Sequence, residues 1–277
     1  MTRRPGFSLA ELVVAMLLAA VIGLALGRLV ISQVRFVAGQ DGALQARSTV
    51  RAALNVLSSE LRALTPGALV AANNDSVTVR VPYAFGVACQ QASGARIVSL
   101  LPGDSAIYRT ATASGYAFRD TSGTWMFVEP ATVGPGTCSP SGPEITTLSA
   151  AGWSPKVVTV SPNDAAVLDA DLVYLYQRVR YAFAASAAVP GRKGLWRTVL
   201  STGARDELVA PFDTGSTFTF LVGSRLTVRT SPPAVLDSVR GLRVRLIGQS
   251  DVTPEGRPVP ARFDLASNII FRNNAGP

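Results

Sequence analysis

The sequence predicts an α+β protein: a long N-terminal α-helix, half membrane-type and half amphipathic, packed on a globular domain rich in antiparallel β-sheet. Three observations lead there. From Phe7 to Gly27 the chain is apolar apart from Ser8, Glu11 and small residues. From Leu44 to Leu64 apolar residues recur at helical spacing. From residue 68 onward the period falls to two.

Composition narrows the function. The 277 residues suffice for a sizeable core, and 48% hydrophobic content rules out a disordered chain. The net charge of +8 comes almost wholly from scattered arginines, Lys156 and Lys193 being the two lysines. Such a surplus permits polyanion binding without demanding it. The absence of histidine removes the usual neutral-pH base and the Ser-His and Cys-His catalytic pairs. This closes the easiest catalytic routes, and no enzyme, cofactor or metal site is expected.

The apolar run follows the basic leader "MTRRPG". As a helix it spans roughly 31 Å, about one hydrocarbon core. Arg3 and Arg4 place the N-terminus in the cytoplasm by the positive-inside rule, and the remainder across the membrane. Arg28 closes the run and can snorkel to the interface. A cleaved secretory signal, with "ALG" at 25–27 as a small-x-small site, and an ordinary signal anchor both fit this hydropathy.

A third reading rests on Gly6, Phe7, Ser8, Leu9, Ala10 and Glu11. This stretch resembles the class III signal of type IV prepilins: a basic leader ending in Gly, then Phe, a small hydroxylated residue, Leu, any residue and Glu. The resemblance implies a prepilin peptidase that cuts between Gly6 and Phe7 and N-methylates Phe7. It makes residues 1–6 a leader and residues 7–28 the transmembrane part of a helix spanning 7–66. The new Phe7 amine would lie one helical turn from Glu11. A carboxylate in lipid costs several kcal/mol without a partner. Its partner is that amine or the amine of a neighbouring subunit, and the resemblance favours the neighbour during assembly.

Beyond Arg28, Leu44, Arg47, Val50, Leu54, Leu57, Leu61 and Leu64 fall three or four apart, on one helical face. Residues 29–66 therefore read as the amphipathic half, with a bend or local break expected at Gly39 and Gly42. Pro66 and Gly67 end it.

Residues 67–277 read as the β-rich domain. Strands are predicted at 76–81, 106–110, 124–129, 156–160, 172–183, 194–200, 217–222, 242–248 and 268–272. In the long fifth strand Val179, Tyr181 and Phe183 share a face opposite Arg178 and Arg180. In the eighth, Leu242, Val244 and Leu246 oppose Arg243 and Arg245. The stretch 86–108 is ambiguous, and residues 68–171 suggest an insertion-rich lobe.

From 172 to 273, "VRYAF", "GLWR", "DELVAPFDTGSTFTFLVG", "VRGLRVRLIG" and "IIFRN" occur in an order similar to the C-terminal half of minor pilins and pseudopilins of the PilW/PulJ (GspJ) type. In that family "DELV" corresponds to an acidic turn. The resemblance implies a structural subunit in the assembly or tip of a type IV pilus. A J-type subunit of a type II secretion pseudopilus and a DNA-binding minor pilin for DNA uptake are the alternatives. Implied partners are the prepilin peptidase, other minor and major pilin or pseudopilin subunits, and the inner membrane; nucleic acid is not expected. The implied location is the inner membrane, single-pass, with the β-domain outside the cytoplasm until assembly into the filament.

Under this topology Cys89 and Cys138 lie in an oxidising compartment, and a disulfide between them is expected. Asp164, Asp169 and Asp171 lack the ligand density of a calcium loop and read as a solvated turn. "PGRKG" at 190–194 lacks P-loop spacing and reads as a hairpin turn with Arg192 and Lys193 solvated. Arg178, Arg180, Arg240, Arg243 and Arg245 read as a solvated or acid-paired face, without the interleaved aromatics of a single-strand platform.

Overall fold

The computed structural model describes residues 9–101, 104, 111–138 and 157–271. Gly6, Phe7 and the predicted strand 106–110 lie outside the described residues. The chain opens with α1, Leu9–Leu61, an uninterrupted helix of 53 residues and about 80 Å. Residues 9–37 are exposed along their whole length, and burial begins at Ala38. The helix stops at Leu61, short of the expected 66, because the chain turns into a Thr65–Ala68 reversal. Ala68 N donates to Thr65 O at 3.1 Å, and Gly67 supplies the φ of +78° that this turn requires.

The expected break at Gly39 and Gly42 is absent. Both glycines are buried in continuous helix, where they let the globular domain approach. The expected leucine face is also shifted. Buried positions are Gly39, Gly42, Ala46, Thr49, Val50, Ala53, Leu57 and Leu61, whereas Leu44 is 59% exposed. Small residues carry the first half of the contact because the sheet comes too close for large ones. A Cβ on Gly248 would lie 2.4 Å from Ala46 O.

Among the described residues fourteen strands follow: β1 (Leu69–Ala72), β2 (Ser76–Ala92), β3 (Ala95–Leu100), β4 (Gly115–Arg119), β5 (Trp125–Val128), β6 (Thr132–Pro135) and β7 (Val157–Ser161). The second half contributes β8 (Leu172–Ala185), β9 (Lys193–Val199), β10 (Arg205–Phe212), β11 (Thr217–Val222), β12 (Thr227–Arg229), β13 (Val239–Gln249) and β14 (Arg262–Ile270). They form one sheet in the order β12-β11-β13-β10-β9-β8-β2-β3-β7-β6, with β14 on β13, β1 on β2, and the β4–β5 pair on β8. Each pairing is antiparallel, as in β2–β8 from Ser76↔Ala182 to Val87↔Leu172.

The predicted alternation holds in β8, where Val179, Tyr181 and Phe183 are buried and Arg180 is exposed. It holds in β13 as well, with Leu242, Val244 and Leu246 buried between exposed Arg243 and Arg245. Of the ambiguous stretch, residues 86–100 form a β2–β3 hairpin turning at Gly94. "RDELVAPF", matched to an acidic turn by resemblance, is strand β10 paired with β9. Among the described residues of 68–171, strands β1–β7 belong to the common sheet rather than to a separate lobe.

The main core lies between the second half of α1 and one sheet face. Val50, Ala53, Leu57 and Leu61 meet Val179, Tyr181, Phe212, Phe218, Leu242 and Leu246. Each large apolar side chain so buried contributes roughly 1.5–3 kcal/mol. A second core of Val98, Leu100, Tyr116, Phe118, Val158, Val173 and Leu175 binds the N-terminal strands.

Candidate functional site

Of the residues that the sequence singles out for processing and assembly, Glu11 is among the described ones. Glu11 lies in the first turn of α1, at the start of a stretch long and apolar enough to cross a membrane and not buried by the protein. Where that stretch gives way to the domain, the 250–260 loop closes on the helix. Gln45 Oε1 accepts from Asp251 N at 3.1 Å, and Arg35 pairs with Glu255 at 4.0 Å. A Cβ on Gly42 would lie 3.2 Å from both Ala261 Cβ and Pro254 Cγ. The loop tip is fixed by Arg257 N donating to Pro254 O at 3.1 Å, with Gly256 at φ +79°.

The other end of the helix is held by polar clamps. Tyr181 donates its hydroxyl to Glu60, and Arg197 Nε lies 3.3 Å from the same carboxylate. Burial, then the Glu60 charge, push the Tyr181 phenol well above its ordinary pKa. Partial burial works to lower the Arg197 pKa, but Glu60 and Tyr181 outweigh it and hold the guanidinium above its ordinary value. The Thr65 and Tyr174 hydroxyls are 2.6 Å apart. Arg80 donates to Gly67 O at 2.8 Å and to Glu129 at 3.2 Å, and Arg178 reaches the other Glu129 oxygen at 3.1 Å. The Arg80 guanidinium also lies over the Phe127 ring at 4.5 Å. This cluster around Glu129 carries no local sequence signature, its members being 49 residues apart.

Cys89 and Cys138 are joined in a disulfide, Cα–Cα 5.9 Å, as expected. Asp164 and Asp171 accept from Ala166 N and Leu168 N within a turn, and Asp169 pairs with Arg96. Among the described residues no group of three or more His, Cys, Asp or Glu could hold a metal. Residues 186–192 form the expected turn, but Lys193 is not free in solvent: its amine bridges to Asp75 at 2.9 Å. Of the arginine face, Arg178 pairs with Glu129 and Arg245 with Asp264, while Arg180 donates to Ser76 Oγ. The Arg245 hydrogen bond holds the Asp264 carboxyl below its ordinary pKa.

Helix and sheet together define an α+β protein with a membrane-length N-terminal helix. No family model, no curated protein and no solved structure matches the chain.

Proposed function

We propose that the chain is a structural subunit of a type IV pilus-like filament, a minor pilin or pseudopilin that acts in assembly or at the tip. One observation carries this reading. A single helix begins beside the motif Gly6–Glu11, runs apolar to Gly27 and exposed to residue 37, and seats its remaining length on an antiparallel sheet. A helix hydrophobic all round needs lipid or other helices about it. The precursor sits in the inner membrane with the β-domain outside the cytoplasm, loses residues 1–6, and exchanges lipid for neighbouring helices in the filament. The seat at Gly42, Glu60 and Thr65 makes helix and domain move as one body, which extraction from the membrane requires.

The test is co-expression with a prepilin peptidase, followed by intact mass and N-terminal sequencing. The expected product starts at methylated Phe7. A mature chain starting elsewhere, or a Gly6 substitution that still matures, overturns the reading.

A further inference from the structure

Strand β14 is paired on one side alone. Among the described residues its neighbour is β13, in unbroken register from Gln249↔Arg262 to Gly241↔Ile270. The bonds at the two ends of this ladder show which backbone groups it uses: Ser250 N donates to Ala261 O, and Phe271 N to Arg240 O. Antiparallel pairing alternates, so the odd-numbered residues of β14 engage β13. Arg262, Asp264, Ala266, Asn268 and Ile270 aim their N–H and C=O groups at the open edge, and all five are exposed. A proline, a bulge or an inward-pointing charge commonly guards such an edge. β14 has none of the three.

Side chains follow the same alternation. Those of Phe263, Leu265 and Ile269 turn to the main core under α1. The helix runs along this strand: a Cβ on Gly42 would lie 3.2 Å from Ala261 Cβ, and the Arg47 guanidinium lies over the Phe263 ring at 5.6 Å. Arg51 is exposed on the same flank, one turn or about 6 Å beyond Arg47. Alternate residues of an extended chain are about 6.8 Å apart, so carboxylates at i and i+2 match this pair of guanidiniums. On the other face of the strand, Asp264 and Asp213 are already paired with Arg245 and Arg262.

We infer that the open edge of β14, flanked by Arg47 and Arg51, takes up an extended acidic strand of another protein. The incoming strand adds antiparallel, as in every pairing of this sheet. Main-chain bonds to residues 262–270 supply the affinity, and the arginines select carboxylates at alternate positions. A second copy of the chain does not fit. Paired antiparallel, β14 with β14, it would reverse α1, against two spans sharing one bilayer. Paired parallel, it would present its own Arg262 to Arg47 and Arg51. The first of these two exclusions rests on reading α1 as a membrane span.

The full chain in detergent is titrated with two nine-residue peptides, one alternating threonine with glutamate and the other threonine with lysine. Amide hydrogen exchange is read residue by residue. In the free chain Ala266 and Asn268 should exchange rapidly while Leu265 and Ser267 are protected. The glutamate peptide should slow Ala266 and Asn268 about tenfold or more, and the lysine peptide should not. A glutamate peptide N-methylated at its threonines, whose N–H groups antiparallel addition turns to β14, should give no protection. Ala266→Pro removes an N–H that the fold does not use, so binding should vanish while the unfolding midpoint holds. Should that variant fail to fold, the N-methylated peptide makes the same test on the parent chain. Arg51→Glu should weaken binding about fivefold and Arg51→Lys should retain it. Equal protection by both peptides, or none by the glutamate peptide, overturns the inference. Protection in the free chain that is lost on dilution assigns the edge to a second copy and overturns it too.

Discussion

The hydroxyls of Thr65 and Tyr174 meet at 2.6 Å in the interior, joining the turn that ends α1 to a strand 109 residues away. Tyr174 is 1% exposed and Thr65 3%. Tyr174→Phe leaves the Thr65 hydroxyl without this partner and is expected to cost about 1–2 kcal/mol. Denaturant unfolding of the full chain in detergent measures it, and an unchanged midpoint would mean the bond adds nothing.

The same phenol gives an alkaline signature. Burial pushes its pKa from 10.0 up to about 12, with the Thr65 hydrogen bond pulling back. The folded state thus keeps its proton where the unfolded state has lost it. Its contribution is full below pH 10 and disappears as pH rises from 10 to about 12. Tyr174→Phe should therefore lose stability less steeply over that window than the parent chain. Parallel pH profiles would show that Tyr174 ionises alike in both states.

Glycines of the seat divide by what surrounds them. At Gly248 a Cβ meets backbone, Ala46 O at 2.4 Å, so Gly248→Ala forces helix and sheet apart at a cost of about 2–3 kcal/mol. At Gly39 the nearest atom is the end of the flexible Arg257 side chain, 3.3 Å away. Gly39→Ala should be neutral or stabilise by up to about 1 kcal/mol through helix propensity. Equal losses from both would refute the close-approach account.

These glycines mark what could be read from the sequence. Strands β8 and β13 were legible because β-branched and aromatic residues alternate with arginine over many positions. The helix seat was misplaced at Leu44, because large apolar residues signal burial while Gly39, Gly42, Ala46 and Ala53 do not. Strand β10 was hidden by Asp206 and Glu207, yet Glu207 is used structurally, accepting from Ala187 N at 3.0 Å and Ala188 N at 3.1 Å. The Glu129 clamp left no signal, since its arginines come from different strands. The cysteine pair was legible because two cysteines leave one pairing.

Glu129 is flanked by Arg80 at 3.2 Å and Arg178 at 3.1 Å, and is 19% exposed. Glu129→Gln leaves two cations facing each other across β2 and β8, where Arg80 and Arg178 are direct partners. Loss of two charge-assisted bonds is expected to cost about 2 kcal/mol, discounted for partial exposure. A second substitution, Arg178→Gln, should recover part of that loss; strict additivity would argue against a coupled cluster.

The Cys89–Cys138 bridge closes a loop with a sequence separation of 49. On chain-entropy grounds it contributes about 4 kcal/mol, and the loss should appear when Cys89→Ser and Cys138→Ser are combined. Cys89 is on β2 and the bridge ties that strand to the segment after β6, far from α1 along the sheet order. Damage should concentrate in the second core, so hydrogen exchange is expected to rise in β3, β6 and β7 before β11 or β13. Uniform exchange would mean the sheet opens as one unit and that the bridge secures the whole of it.

Under the proposed function, substitution of Glu11 should separate processing from assembly. It stands in the first turn of the exposed helix, where a charge at the centre of a span costs about 2.5–3.5 kcal/mol and less near its end. Glu11→Val removes that cost, so membrane insertion should be equal or better and cleavage after Gly6 should persist. Filament incorporation, if it depends on a carboxylate meeting a neighbour's Phe7 amine, should fall by at least tenfold. The readout is the subunit's share in sheared filaments against its share in the membrane fraction. Glu11→Asp, which keeps the charge on a shorter stem, should restore part of the incorporation, whereas Glu11→Gln should restore little. Incorporation of Glu11→Val at the parent level would show that the carboxylate has no part in assembly, leaving its place in the apolar run without the role assigned to it.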